Sequence, residues 1–207
     1  MHMQSAFRSN PPAGLLAEMQ PAAATYYPAG AMIYAQGDEA GRLYGVEFGT
    51  VRICRMAADG RRQVTAFHMA GEVFGFEAGD EHESYAESVD GTAVRVLRGS
   101  GTAPPAGKLL ALAVQTLART QTHLMVLGRR NANERMAALL LDLGQRQGSD
   151  ALVHLPMQRN DIADYLGITF ETVSRALRYL KEQRIIRLRA VNKIEIIDHD
   201  ALEAMCA

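Results

Sequence analysis

Apolar residues follow two different periods along this chain of 207 residues. From about residue 26 to 98 they fall in short β-prone runs that alternate with glycines and turn signals. Asp59-Gly60 between two such runs is a strong hairpin signal. Short strands at fairly even spacing predict a small β-barrel or roll. The predicted strands cover residues 32–34, 42–48, 51–56, 64–67 and 92–97.

A helical period replaces the short runs after a predicted linker at 99–107. Residues 108–128 form one long predicted helix in which leucines recur every seven residues. Such a repeat is typical of a helix that packs along another helix, and it predicts a homodimer. The alternative is an amphipathic helix that packs only on its own β-roll. The predicted dimer interface consists of Leu110, Val114, Leu117 and Leu124.

The last third of the chain predicts a helix-turn-helix followed by a hairpin. A helix from Asn131 or Asn133 through Leu143 comes first. Residues 157–180 then predict a helix, a tight turn at Gly167 and a second helix with Thr169 as its N-cap. The runs 185–189 and 193–197 flank a turn, as the wing of a winged helix does. A short helix at 198–206 ends the chain. The apolar residues that would pack the two helices together are Ile162, Leu166, Val173, Leu177 and Leu180.

The outer face of the second helix carries the candidate DNA contacts. Arg175 can donate two hydrogen bonds to guanine, and Glu171 can accept one from cytosine N4. Ser174 and Phe170 can meet a thymine methyl group. The alternative is a surface helix with an ordinary polar face. The predicted phosphate contacts are Arg159, Arg178, Arg187, Arg189 and Lys193, of which Arg178 also lies on the base-reading face.

The composition is that of a soluble globular protein, and the charges are unevenly distributed along the chain. The hydrophobic fraction of 48% and charged fraction of 22% are those of a globular protein. The net charge of −1 argues mildly against DNA binding, but the charges are unevenly distributed. Residues 72–90 are acidic without any Lys or Arg, whereas the basic residues gather near the C-terminus. This asymmetry is expected of a protein with separate sensing and DNA-binding regions.

Export and membrane insertion are not predicted. The first residues lack the pattern of a signal peptide, and no apolar run approaches the ~20 residues that span a bilayer. Cys54 and Cys206 provide neither a metal-ligand spacing nor a disulfide framework. We therefore expect a cytoplasmic protein with reduced thiols, in which Cys54 is a small core residue; a single bridge between the two is the alternative.

The order of a β-roll, a long helix and a winged helix-turn-helix resembles the Crp–Fnr family of bacterial transcription regulators. Residues 33–38, 71–77 and 133–140 resemble segments of that family. The most specific match is Glu171-Thr-Val-Ser-Arg175, because members of the Fnr and FixK type carry Glu, two residues and Ser-Arg at the start of the recognition helix. Members with a second Arg before the Glu prefer another site, and Phe170 stands there in this chain.

The resemblance is to the FixK-like subgroup, and it implies a particular function. It implies a homodimer that binds double-stranded DNA at a TTGAT-N4-ATCAA palindrome, activates transcription with RNA polymerase, and acts in oxygen- or nitrogen-related gene control. The expected fold is α+β: an N-terminal β-roll similar to the cyclic-nucleotide-binding jelly roll, a dimerisation helix and a winged helix-turn-helix. The expected boundaries are an arm at 1–25, with a short helix around 15–19, then 26–105, 106–129 and 130–207.

The resemblance also implies what the β-roll lacks. Cyclic-nucleotide binders of the family pair the cyclic phosphate with an Arg-Ser, and the matching residues here are Glu83-Ser84, with no nearby Arg or Lys expected. Fnr-type iron–sulfur sensors use four cysteines, and this chain has two. We therefore expect no cyclic nucleotide and no cofactor, as in FixK-like relatives controlled by their amount. The alternative is an effector-gated regulator with haem or another small molecule, for which the axial candidates are His68, His82 and His123.

Enzyme chemistry is not expected. A barrel enzyme of the cupin type needs a His-x-His, a following Glu and a third His to hold its metal, and His68 has no such partners. The sequence therefore predicts neither catalytic nor metal-binding residues.

Overall fold

The computed structural model describes residues 23–97 and 106–206. The predicted helix at 15–19 and most of the predicted linker at 99–107 lie outside these residues. Within them, the chain forms a β-roll, a long helix and a winged helix-turn-helix, in that order. The prediction of an α+β fold with this architecture is confirmed. No helix of the described part is long and apolar enough to cross a membrane.

Two four-stranded antiparallel sheets form the β-roll. Their strand orders are β1-β8-β3-β6 and β2-β7-β4-β5. Side chains from both sheets fill the core, among them Val46, Val51, Phe74 and Val94. The strands are β1 (Thr25–Tyr27), β2 (Met32–Tyr34), β3 (Leu43–Phe48), β4 (Thr50–Met56), β5 (Arg62–Met69), β6 (Val73–Phe74), β7 (Tyr85–Ser88) and β8 (Thr92–Leu97).

Two glycines set the hairpins on either side of β4. Gly60 has a φ of 81° in the β4–β5 turn, which confirms the predicted hairpin. Gly49, between β3 and β4, has a φ of 80°, and a Cβ added there would lie 2.5 Å from the Gly91 carbonyl oxygen. Only glycine fits this second position, because both the backbone conformation and the close approach exclude a side chain.

The acidic run contains a strand that the sequence analysis missed. In β7, Ala86 and Ser88 face inward, and Glu87 lies directly opposite Arg52 of β4. The Arg52 guanidinium donates from Nε to Glu87 at 2.7 Å. A carboxylate is therefore accepted in the middle of a sheet because a cross-strand arginine neutralises it.

The long helix, α1 (Ala106–Leu127), buries one face and exposes the other. Leu112, His123 and Val126 are buried against the rest of the protein. The next helix, α2 (Ala132–Gln147), begins at Asn131, whose side chain accepts from the backbone N–H of Glu134, and ends at Gly148 with a φ of 66°. Asn131 rather than Asn133 is therefore the cap, and the helix extends past Leu143.

The C-terminal part forms a three-stranded sheet packed on helices. The sheet order is β10-β11-β9, and β10 and β11 are the predicted hairpin. The elements are β9 (Leu152–His154), α3 (Arg159–Leu166), α4 (Phe170–Glu182), β10 (Ile186–Ala190), β11 (Lys193–Ile196) and α5 (His199–Ala204). The Asp198 side chain caps α5 by accepting from the Ala201 N–H, so the predicted closing helix is present.

Candidate nucleic-acid interface

The helix-turn-helix is built from α3 and α4 as the apolar pattern predicts. Gly167 ends α3 with a φ of 61°, and its N–H donates to the Ala163 carbonyl. Thr169 caps α4 by accepting from the Thr172 N–H at 3.3 Å. The five predicted packing residues, Ile162, Leu166, Val173, Leu177 and Leu180, are all buried. This packing fixes which face of α4 points outward.

The outward face of α4 begins with Phe170, which is 46% exposed, and Glu171. The Glu171 backbone N–H, the Thr169 hydroxyl and the charge of Arg175 lower the pKa of the Glu171 carboxyl. Glu171 is therefore an ionised acceptor at neutral pH. Arg175, one turn further on, is exposed and makes no hydrogen bond within the described part of the chain. Arg178 is exposed on the same helix.

Ser174 and Arg159 contact each other, which the sequence analysis did not foresee. Arg159 Nη1, at the start of α3, donates to Ser174 Oγ at 3.1 Å. Both side chains are half-buried. Ser174 can still donate its own proton to a base, because the hydroxyl is both donor and acceptor. The bond joins a predicted phosphate contact to a predicted base contact.

The wing presents its basic residues on one face, together with a carboxylate. Arg187 lies opposite Glu195 in the ladder and donates to it at 3.0 Å, and Arg189 donates to the same carboxylate at 2.8 Å. The hydrogen bond from Arg189 and the charges of both arginines lower the pKa of Glu195. Lys193 is exposed two residues before Glu195. Glu195 was not among the predicted site residues, although the register of the hairpin places it opposite Arg187.

The predicted dimer stripe lies on the exposed face of α1. Leu117 is 57% exposed, and Leu110, Val114 and Leu124 are exposed to a similar degree. The buried residues lie on the opposite side of the helix. The stripe therefore does not pack on its own β-roll, as the alternative interpretation required. A row of large exposed apolar residues is typical of an interaction surface.

The mouth of the β-roll, which is the open cleft beside Glu83, contradicts one expectation about cyclic nucleotides. An arginine does lie beside Glu83: Arg55 of β4 donates from Nη2 to the Glu83 carboxylate and from Nε to the Glu83 carbonyl at 2.9 Å. The expectation of no nearby cation was wrong because Arg55 is distant in sequence and adjacent in space. Its charge is matched by Glu83 at the edge of an open cleft of about 990 Å³.

The three histidines considered as haem ligands are buried and already have neighbours. His82 stacks on Tyr34 at 3.6 Å between ring centroids, with Nδ1 3.2 Å from Glu77. His123 stacks on Tyr165 at 3.8 Å. His68 Nδ1 lies 3.8 Å from a carboxylate oxygen of Glu72.

Neither cysteine lies in a group of candidate metal ligands within the described residues. Cys54 is buried, as expected, and burial raises its pKa to about 11. Both cysteines are free thiols in this structure. The one group with suitable spacing in the described part is His199, Asp200 and Glu203, on the short helix α5.

The ion pairs that join the two halves of the protein were not predicted, because no local pattern in the sequence indicates them. Glu72, nearly fully buried, accepts from Arg146 of α2 at 2.9 Å and lies 3.1 Å from Arg119 of α1. Arg52 and Arg62 of the β-roll bind carboxylates of α3. Much of the acidic run is therefore not an open acidic surface, since arginines from other elements pair with it.

A β-roll joined by a long helix to a winged helix-turn-helix with this exposed recognition helix defines a DNA-binding transcription regulator. The profile of the Crp-like helix-turn-helix domain matches residues 134–205. The profile of the cyclic nucleotide-binding domain matches residues 24–98.

Comparison with individual proteins points to the same class. The chain is 49% identical to the nitrogen fixation regulation protein FixK of Rhizobium meliloti (strain 1021), over 88% of this chain and 86% of that protein. It is 42% identical to FixK of Azorhizobium caulinodans, over 84% of this chain and 75% of the relative. The structure of FixK2 from Bradyrhizobium japonicum matches with a TM-score of 0.82 at 37% identity, over 90% of this chain and 98% of that one.

The chain belongs to the Crp–Fnr family and is a FixK-like transcription regulator with a helix-turn-helix DNA-binding domain. The resemblance predicted from Glu171-Thr-Val-Ser-Arg175 and the element order is thereby confirmed. Regulators of this kind are not enzymes.

Proposed function

We propose that this protein is a homodimeric activator that binds TTGAT-N4-ATCAA-type palindromes without a small-molecule effector. The observation that carries the proposal is the exposed pair Glu171 and Arg175 on a capped recognition helix. An ionised acceptor and a free guanidinium one turn apart match adjacent donor and acceptor groups in the major groove.

In this proposal, four residues of the recognition helix contact bases. Arg175 donates to O6 and N7 of the guanine in TTGAT. Glu171 accepts from N4 of a cytosine. Phe170 and Ser174 contact thymine methyl groups, and Arg159 holds Ser174 in place as well as meeting a phosphate. Each good base contact is worth about 1–3 kcal/mol of discrimination.

The remaining basic residues and the apolar stripe complete the complex. Phosphates bind four of the exposed positive side chains of α4 and the wing, namely Arg178, Arg187, Arg189 and Lys193. A dimer forms through Leu110, Val114, Leu117 and Leu124, because a two-fold site needs two recognition helices about 34–36 Å apart. We propose domain boundaries of 1–25 for an N-terminal arm, 26–105 for the β-roll, 106–129 for the dimerisation helix and 130–207 for the DNA-binding domain.

Effector-free action is supported by the mouth of the β-roll. A cyclic phosphate there would meet the Glu83 carboxylate, and the nearby Arg55 is already paired with it. A second candidate is an effector-gated regulator, which the open cleft of about 990 Å³ favours. Its lining includes the buried His82 and the acidic Asp80 and Glu81, so its ligand would have to be neutral or cationic.

The biological setting follows from the relatives and is proposed by analogy. The two FixK relatives are named as regulators of nitrogen fixation. We propose oxygen- or nitrogen-related gene control in the cytoplasm, with RNA polymerase as the partner on DNA.

A footprint on a TTGAT-N4-ATCAA duplex, with and without cyclic AMP, tests the proposal. Colourless protein free of metal and nucleotide is expected to protect the site, and cyclic AMP is expected to change nothing. A duplex with both half-sites scrambled is the control. Binding that appears only after cyclic AMP, haem or a cluster is added would establish the effector-gated alternative instead.

A further inference from the structure

Five charged residues join the β-roll to the first helix of the helix-turn-helix. Arg52 Nη1 donates to both Asp161 carboxylate oxygens, at 3.0 and 3.1 Å, while its Nε binds Glu87. Arg62 donates to Asp161 at 2.6 Å and to Asp164 at 2.7 and 2.9 Å. We call this cluster the ion-pair clasp; it consists of Arg52, Arg62, Glu87, Asp161 and Asp164.

The clasp is not an ordinary surface salt bridge. Asp161 is 3% exposed and receives hydrogen bonds from two different arginines. Exposed ion pairs contribute little, but removal of the partners of a buried charge leaves that charge uncompensated. The contact between β-roll and α3 therefore depends on both arginines being in place.

Neutral contacts lie beside the clasp. Gln63 Nε2 donates to the Asp164 carbonyl at 2.9 Å. The Phe67 and Tyr165 rings pack with centroids 5.1 Å apart. Charged, polar and aromatic contacts thus run along β5 and α3 and fix how α3 lies on the strand.

The clasp holds α3 while the DNA-reading face of α4 stays free. Asp161 and Asp164 point toward the β-roll, whereas Phe170, Glu171 and Arg175 are exposed in the same arrangement. Docking of α3 therefore does not block the recognition helix.

We propose that Arg52 and Arg62 are positioning residues for DNA binding, which hold each helix-turn-helix at a fixed orientation so that the dimer selects one half-site spacing. This proposal rests on the proposed function and deepens it, since it names the contact that replaces an effector in orienting the DNA-binding regions. A half-site moved by one base pair shifts by about 3.4 Å and rotates by about 34°. Rigidly held recognition helices cannot follow that change.

The test measures affinity for duplexes with spacers of three, four, five and six base pairs between unchanged half-sites. We expect the wild type to prefer one spacer by at least about tenfold, and the double variant Arg52→Gln with Arg62→Gln to bind all four within about threefold of one another. If the two arginines had only a structural role, the fraction of active protein would fall equally for every duplex. The ratio of affinities between the best spacer and the others would then be unchanged. An unchanged ratio in the double variant would overturn the proposal.

Two further variants control for charge and folding. Arg55 lies on β4, as Arg52 does, but it binds Glu83 rather than α3. The variant Arg55→Gln is therefore expected to keep the wild-type spacer preference. If the glutamine pair does not fold, Arg52→Lys with Arg62→Lys keeps both charges but loses the forked hydrogen bonds. The lysine pair is expected to give an intermediate spacer preference, and a preference equal to the wild type contradicts the proposal.

A measurement without DNA separates this inference from the proposed function. Spin labels on Asp59→Cys and Lys181→Cys, in a Cys206→Ser background diluted into unlabelled protein, report the distance between the β4–β5 hairpin and α4 of one protomer. We expect a narrow distribution in the otherwise wild-type protein and a broad one in the glutamine or lysine pair. If both distributions are equally narrow, the clasp does not position α4. If the wild type shows a narrow distance distribution but binds none of the duplexes, the proposed DNA site is refuted and the positioning role of the clasp is not.

Discussion

Arg55 at the mouth of the β-roll and Arg175 on the recognition helix are both exposed arginines near a glutamate, but only one of them is engaged. Arg55 binds both the carboxylate and the carbonyl of Glu83. Arg175 makes no hydrogen bond in the described residues, and the backbone N–H of Glu171 and the Thr169 hydroxyl lower the pKa of the Glu171 carboxyl. A helix N-terminus favours such a carboxylate through its free N–H groups.

This difference shows where each region can still bind a ligand. In the β-roll, carboxylates and arginines from distant elements satisfy each other, as in Glu83 with Arg55 and Glu87 with Arg52. On α4, donor and acceptor are exposed and face solvent. The groups that a base pair could satisfy are therefore on the recognition helix, and the following predictions test this contrast.

The largest effect is expected from Leu117→Glu on α1. A charge in the exposed apolar stripe should give monomers. DNA affinity should then fall by about 10²-fold or more, because the two recognition helices are no longer linked in one dimer. Sedimentation at micromolar concentration should show a 22.6 kDa species for the variant and twice that mass for the wild type. Thr122→Glu, exposed on α1 away from the stripe, should stay dimeric. A variant Leu117→Glu that remains a dimer would show that the stripe is not the interface.

Arg175→Ala should cost about 1–3 kcal/mol of binding on the palindrome and relax the preference at its guanine. Arg187→Ala should instead weaken all sequences alike and reduce the salt slope by about one ion. Glu171→Ala should lose selectivity yet keep or raise non-specific affinity, since a negative charge near DNA is removed. Salt titrations on the palindrome and on a duplex with the guanine replaced make the comparison. Equal losses on both duplexes for Arg175→Ala would assign Arg175 to the phosphates.

The features that could be predicted from the sequence are those that local patterns determine. The turn at Gly167, the cap at Thr169 and the buried face of α4 depend on residues within a few positions of one another. The Asp59-Gly60 hairpin is local in the same sense. Such features follow from turn chemistry and helical period alone.

Contacts between residues that are distant in sequence could not be predicted. The strand β7 looked like part of an acidic loop, because its partner Arg52 is 35 residues away. Arg55 beside Glu83 was missed for the same reason, as was the contact of Arg62 with Asp161 across 99 residues. A single sequence carries no record of which arginine neutralises which carboxylate, so these pairs needed the fold.

The β-roll should also be the more pH-sensitive region. Burial lowers the pKa of His68 from 6.5 to about 4, so the folded protein keeps this histidine neutral. The neutral His68 therefore stabilises the folded state fully above about pH 6.5. This stabilisation is lost as the pH falls toward 4, because over that range only the histidine of the unfolded chain takes up a proton. We expect the free energy of unfolding to fall by about 2 kcal/mol between pH 7.5 and 5.0 from this group.

Urea denaturation at the two pH values measures this loss. His68→Asn should reduce the difference between pH 7.5 and 5.0, whereas His199→Asn, which changes a more exposed histidine, should not. The Glu171 carboxyl, with its lowered pKa, should remain ionised over this range. A pH dependence that is the same in wild type and His68→Asn would place the titrating group elsewhere.

The smallest effect is expected at the wing, where Glu195 shares its carboxylate between Arg187 and Arg189. This carboxylate partly neutralises the proposed phosphate contacts of the wing, but the ion pairs are half-exposed and weak. Glu195→Gln should therefore raise affinity for all duplexes by about threefold and steepen the salt slope by about one ion, without changing the preference for the guanine of TTGAT. Glu203→Gln removes an exposed carboxylate from α5 and is the matched control for net charge. A gain for Glu195→Gln on the palindrome alone would mean that Glu195 influences base reading, and equal gains for both variants would mean that only the overall charge matters.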